Sequence, residues 1–176
     1  LRGRKPGWLL ALLLFWAGFA GLIVGLAASA VDLSLSNGAP SAGQLQAGRA
    51  ACRLPEAFAG LAEGPPRRIM APIDLGAHLL LFTTHSVVGA PYHRNVAGVT
   101  DTFAFFNAPI GEAEAILMRR QIDLVVLCPS MPEVAGLADA DPHSFARLRA
   151  ADQVPDWLVR TSAPGAILET YAVRLP

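Results

Sequence analysis

The most polar stretch inside this sequence is Ala90-Pro91-Tyr92-His93-Arg94-Asn95. Arg94 carries a planar guanidinium whose fork matches phosphate or carboxylate, and His93 and Asn95 can hydrogen-bond a sugar or a peptide. Asp74 lies upstream in Ile73-Asp74-Leu75-Gly76 and adds a carboxylate. Each feature also has a plainer use. Asp74 can cap a helix, and Tyr92 to Asn95 can form a polar loop whose side chains satisfy backbone groups. The remaining candidates are weaker. His78, His85 and His93 share no metal-ligand spacing, so no metal site is expected, and no cofactor. Ser86 follows His85 but has no G-x-S-x-G around it. Glu112 and Glu114 are two apart on an expected helix and diverge. No catalytic residue is therefore assigned.

The elements that must position these side chains alternate. Arg67 to Ala71 reads as a buried strand and Leu75 to Phe82 as a short helix that Asp74 can cap. Ser86 to Ala90 reads as a second strand, with the polar stretch at its carboxyl end. Val99 to Phe106 is ambiguous. Ile110 to Gln121 is the clearest helix, with Glu112 and Glu114 in its first turn and Arg119 and Arg120 in its last, complementing the helix dipole. Ile122 to Leu127 is apolar almost throughout, as a strand buried on both faces is. Asp141-Pro142 opens another helix, reaching about Ala150. Trp157 to Arg160 and Ile167 to Val173 read as two closing strands turned by Pro164-Gly165. Strand, helix, strand, helix, strand predicts an α/β domain: three layers, a mainly parallel sheet and a C-terminal antiparallel pair. In open sheets of this kind ligands bind at the carboxyl ends of the strands. Asp74, Gly76 and Tyr92 to Asn95 would converge there, close enough for Asp74 and Arg94 to interact, beside a shallow cleft.

The uncharged run Trp8 to Ala28 spans roughly 31 Å as a helix, matching a hydrocarbon core of about 30 Å. Arg2, Arg4 and Lys5 flank only its amino end, which places that end in the cytoplasm and the rest of the chain outside. We therefore expect residues 1–31 to be a single-pass anchor in the inner (cytoplasmic) membrane, residues 32–50 a linker, and residues 51–176 an extracytoplasmic domain. Ala28-Ser29-Ala30 also fits a signal-peptide cleavage site, the rival reading, although the apolar run exceeds the usual length. Ala17, Gly21 and Gly25 recur at four-residue spacing and suit packing against other transmembrane helices, or simply reflect how common small residues are in such segments. The first residue is Leu1 rather than Met, so the reading frame is expected to extend upstream. Lys+Arg and Asp+Glu are both 14, which leaves no global basic field for nucleic acid. Cys52 and Cys128 are the only cysteines. Outside the cytoplasm two such residues are expected to form a disulfide; two buried thiols are the alternative.

The sequence Ile73-Asp74-Leu75-Gly76-Ala77-His78-Leu79-Leu80, then Val87-Val88, then Tyr92 to Asn95, resembles a pattern in polytopic GT-C-type glycosyltransferases and their oligosaccharyltransferase relatives. In that family an Asp-x-Gly element opens the extracytoplasmic C-terminal domain after the last membrane helix. The two tryptophans that precede it in oligosaccharyltransferases are replaced here by Pro72 and Ile73. The resemblance covers roughly Arg67 to Leu127. It implies a polyprenyl-phosphate-linked sugar donor, with Asp74, Gly76 and Asn95 beside the acceptor route, and catalytic acids in early loops that have no counterpart in this sequence. On this reading the chain is a non-catalytic portion of a larger enzyme. The competing reading is a stand-alone envelope protein whose domain binds a partner or small ligand.

The anchor gives the first test. Carbonate washing should leave the chain in the membrane fraction, and a periplasm-dependent reporter fused after Pro176 should be active. Release into the soluble fraction with loss of residues 1–30 would establish the signal peptide instead.

Overall fold

A computed structural model of the chain describes residues 41–135 and 140–174. The expected anchor, Trp8 to Ala28, and the small residues Ala17, Gly21 and Gly25 lie outside the described residues. Among the described residues no helix is long and apolar enough to cross a membrane.

Five strands form one mixed sheet in the order β2-β1-β3-β5-β4. They are β1 (Arg68–Met70), β2 (Ser86–Val87), β3 (Leu124–Leu127), β4 (Leu158–Arg160) and β5 (Glu169–Val173). β1 runs parallel to both β2 and β3, and β3 and β4 each run antiparallel to β5. The sheet thus has the parallel core and closing antiparallel pair that the alternation implies.

β3 is buried at every position, and its side chains alternate between two cores. Leu124 and Val126 join Ile69, Leu75, Leu79 and Phe58 on one face. Val125 and Leu127 join Met70, Phe105, Phe106, Ile116, Leu117 and Tyr171 on the other. The helix Ile73–Phe82 covers the first face; the helices Val96–Asn107 and Ile110–Arg120 cover the second. Phe105, Phe106 and Phe145 pack together with ring centroids 4.9–5.9 Å apart, and Tyr171 sets its ring edge-on to Phe145 at 5.8 Å. Such aromatic groups supply much of a core's apolar area.

Several local expectations are corrected. The compact unit begins at Ala42, inside the expected linker 32–50: Ala42–Ala51 is a helix, favoured by its alanines, glutamines and leucine and by the absence of proline between Pro40 and Pro55. The ambiguous stretch around Val99 is the helix Val96–Asn107. The helix expected from Asp141 starts at Phe145 instead. Ser144 is its N-cap, accepting from Arg147 N at 3.4 Å, while Asp141 is drawn into the preceding turn by the His143 N–H at 2.7 Å. Asp74 caps nothing. The helix Ile73–Phe82 has Pro72 at its N-cap position and no cap from within the segment. Glu133, remote in sequence, instead accepts the Ile73 N–H at 3.1 Å.

Among the described residues Glu169 is the one acidic residue buried in the sheet. Arg149 donates to both of its carboxylate oxygens, the Nε contact at 2.8 Å, and the Tyr171 hydroxyl donates at 3.0 Å. Burial alone would raise the Glu169 pKa, but the Arg149 hydrogen bonds and charge outweigh it and hold the carboxyl below its ordinary value. The same neighbourhood raises the Tyr171 hydroxyl, first through burial and then through the Glu169 charge. A buried carboxylate is tolerated when it is paired and hydrogen-bonded in this way.

Cys52 and Cys128 form the expected disulfide, with Cα atoms 6.1 Å apart. It joins the end of the helix Ala42–Ala51 to the end of β3 across 76 residues. On the chain-entropy account, removing such a bridge costs roughly 4 kcal/mol. A Cys52→Ser/Cys128→Ser variant should therefore unfold at markedly lower denaturant than the oxidised chain. An unchanged midpoint would show that packing alone holds Ala42–Ala51 in place.

Candidate functional site

Because β1, β2 and β3 are parallel, their carboxyl ends share one edge of the sheet. Ile73 to Gly76 follows β1, Tyr92 to Asn95 follows β2, and Cys128 to Met131 follows β3. Asp74 and Arg94 thus stand on the same edge.

The segment Ala42 to Arg53 lies across this edge at three points. The disulfide holds Cys52 to the end of β3. Arg49 Nε donates to the Ser130 carbonyl at 2.7 Å. Arg53 Nη2 reaches Asp74 Oδ2 at 3.4 Å, with side chains 44% and 53% exposed. The cation that meets Asp74 is therefore Arg53, not Arg94. A pair so exposed contributes at most about 1 kcal/mol, so either partner can turn to another ligand at little cost.

Gly76 is required by contact. A Cβ there would collide with the Gly89 carbonyl oxygen, so the helix Ile73–Phe82 reaches the end of β2 only because residue 76 has no side chain. Gly98 repeats the arrangement against the Val88 carbonyl. Asn95 links the two. Its Oδ1 accepts the Gly98 N–H at 3.1 Å, capping the helix Val96–Asn107, and its Nδ2 donates to Val88 O at 2.8 Å. The buried Thr102 hydroxyl donates to Gly98 O at 2.8 Å. Gly76 and Asn95 are thus structural, and they fix the path of the loop between them.

Three side chains project from that loop. Tyr92, His93 and Arg94 are exposed, Tyr92 at 58%, and none makes a side-chain hydrogen bond or ion pair among the described residues. A phenol, an imidazole and a guanidinium on consecutive positions of an anchored turn can stack on a sugar ring, hydrogen-bond its hydroxyls and hold an anion.

The other histidines are occupied. His85 is buried: its Nδ1 accepts the Arg67 N–H at 3.1 Å and its Nε2 meets the Leu61 carbonyl at 2.9 Å. The first contact requires a bare Nδ1 and the second a protonated Nε2, which defines the neutral tautomer. His78 stacks near Phe58, ring centroids 6.5 Å apart, with Nδ1 at 3.1 Å from the Asp74 carbonyl. Among the described residues no group of three or more His, Cys, Asp or Glu side chains could hold a metal ion.

Arg53 and Glu133 are the residues that sequence reasoning missed here. Arg53 had a signal: it follows Cys52, so pairing Cys52 with Cys128 carries it to the end of β3, beside β1. Glu133 had none, since capping a helix from sixty residues away leaves no local pattern.

No family model matches the sequence, and no curated protein matches it. Among solved structures the chain is similar to the crystal structure of the C-terminal globular domain of oligosaccharyltransferase from Archaeoglobus fulgidus. The TM-score is 0.47 and the identity 15%, over 76% of this chain and 98% of that one.

The division between scaffold and projecting groups is testable by stability. Asn95→Ala removes a helix cap and should cost about 1–2 kcal/mol. Gly76→Ala forces the backbone apart and should cost about 1–3 kcal/mol. Tyr92→Ala, His93→Ala and Arg94→Ala should stay within about 0.5 kcal/mol of the parent in urea titrations. A large loss for any of these three would return the loop to the scaffold.

Proposed function

We propose that the chain is the C-terminal extracytoplasmic part of a membrane glycosyltransferase-like protein that uses a polyprenyl-linked sugar donor, this part being non-catalytic. The observation that carries the reading is the way the Asp74-Leu75-Gly76 element meets the loop after β2. The sequence resemblance rests on Asp-x-Gly, a Val-rich strand and an Asn-containing polar loop. In the fold these three pieces interlock: Gly76 lies against Gly89, and Asn95 ties Val88 to Gly98. The pieces of the pattern thus meet in one physical unit, which supports the reading.

On this reading the unit is a platform. Asp74 and Arg53 form an exchangeable surface pair, and Arg94, His93 and Tyr92 present a cation, a hydrogen-bonding ring and a stacking surface. Such groups can hold the phosphate or sugar of a donor, or orient an acceptor, while the bond-making acids are supplied by another part of the enzyme. Orientation of this kind affects rate through positioning.

The test is an Arg94→Ala variant in the full-length protein, assayed for transfer from a polyprenyl-linked sugar. Transfer should fall by about tenfold or more, with unfolding unchanged. The reading fails if transfer is unaffected while stability drops.

A further inference from the structure

The opposite edge of the sheet carries a second feature. A groove of about 350 Å³ runs beside the edge strand β2, lined by Arg68, Ser86, Val87, Val88, Arg119 and Arg120. It shares Arg68 and Ser86 with a neighbouring hollow of about 410 Å³ that adds Arg67 and Gln121. Four of the chain's 14 basic residues thus surround one stretch of surface. The carboxylates nearby are Asp101 and Asp123, and both are engaged.

The arginines are held in place. Asp101 accepts from Arg119 Nη2 at 2.9 Å and from Arg120 Nε at 2.7 Å. Burial would raise the Asp101 pKa, but these two bonds lower it, so the clamp stays charged at neutral pH. Arg68 Nη1 donates to the Arg120 carbonyl at 2.9 Å and to Gln121 Oε1 at 3.0 Å, and Asp123 accepts the Arg68 N–H at 2.8 Å. The guanidinium contacts each occupy part of a fork and leave other N–H groups open, while Asp123 is held by the Arg68 backbone N–H alone; Arg119 remains 57% exposed. The backbone adds a donor. Ser86 N and Val88 N bond to Arg67 O and Ile69 O, so the alternating Val87 N–H points away from β1, toward the groove.

We propose that this groove binds a phosphate-bearing group, either a lipid headgroup or a soluble phosphate compound, through Arg68, Arg119 and Arg120. Three oriented guanidiniums beside an outward backbone N–H match the several acceptor oxygens of a phosphate. Arg68 also closes the end of the helix Ile110–Arg120 through the Arg120 carbonyl, which holds its guanidinium beside the two that Asp101 gathers. The groove runs along β2 as far as Val88, which also accepts from Asn95, but Arg68, Arg119 and Arg120 are no part of the platform, so the two readings are tested separately.

Arginine-selective dicarbonyl labelling of the unmutated full chain, read residue by residue by mass spectrometry at low ionic strength, tests it. The chain is placed in nanodiscs of neutral phosphatidylcholine with or without inorganic pyrophosphate, and in discs containing phosphatidylglycerol. Arg68 and Arg119 should label about tenfold more slowly with one of these anions present, while the exposed Arg174 labels at its original rate. Protection by pyrophosphate in neutral discs identifies a soluble ligand; protection only in anionic discs identifies a headgroup. Equal slowing of Arg174 is general screening and overturns the proposal, as does unchanged labelling of Arg68 and Arg119 in every arm.

Discussion

The structure depends on the double-sided burial of β3. Leu124 to Leu127 has no exposed position, so every second side chain must find a partner layer on each face. Leu124 and Val126 require the helix Ile73–Phe82 and the aromatic Phe58; Val125 and Leu127 require the helices between β2 and β3 and the phenylalanines they carry. A strand of four residues cannot satisfy its backbone alone. It is bonded on one side by β1 in parallel and on the other by β5 antiparallel. That arrangement makes the sheet mixed and sets which loops share an edge.

From this placement the two edges acquire different chemistry. At the carboxyl edge the strands give way to loops closed by contacts that exclude side chains: Gly76 on Gly89 and Gly98 on Val88. The backbone there is tightly determined, so the exposed Tyr92, His93 and Arg94 project from a rigid base. The segment up to Arg53, fastened by the disulfide and by Arg49 on Ser130, supplies the countercharge for Asp74. At the amino edge the helix Ile110–Arg120 ends in two arginines that Asp101 gathers. One edge therefore presents isolated groups on a fixed turn, and the other a cluster of cations whose mutual repulsion is offset by a shared carboxylate.

The buried Arg149–Glu169–Tyr171 network sits where β5 pairs with the end of β3. It lies at the carboxyl end of β3, with Glu169 and Tyr171 buried. Its paired charges and satisfied hydroxyl mark it as part of the core, where an unpaired member would be costly.

Much of this was legible from residue types. The apolar run before Cys128 announces a strand buried on both faces, the acidic start and basic end of Ile110–Arg120 announce a helix, and two cysteines announce a bridge. These are local or compositional signals, because periodicity, dipole complementarity and oxidation chemistry act on neighbours or on the whole chain. Tertiary structure decided the rest. It chose Arg53 rather than Arg94 for Asp74, because the disulfide brings Arg53 to that edge. It gave the cap of the helix Ile73–Phe82 to Glu133, and it made Asn95 a cap and tie. It also gathered Arg68 with Arg119 and Arg120. In each case the partners are far apart along the chain, and a side chain's charge or hydrogen-bonding capacity does not say which partner it will meet until the sheet order brings the two together.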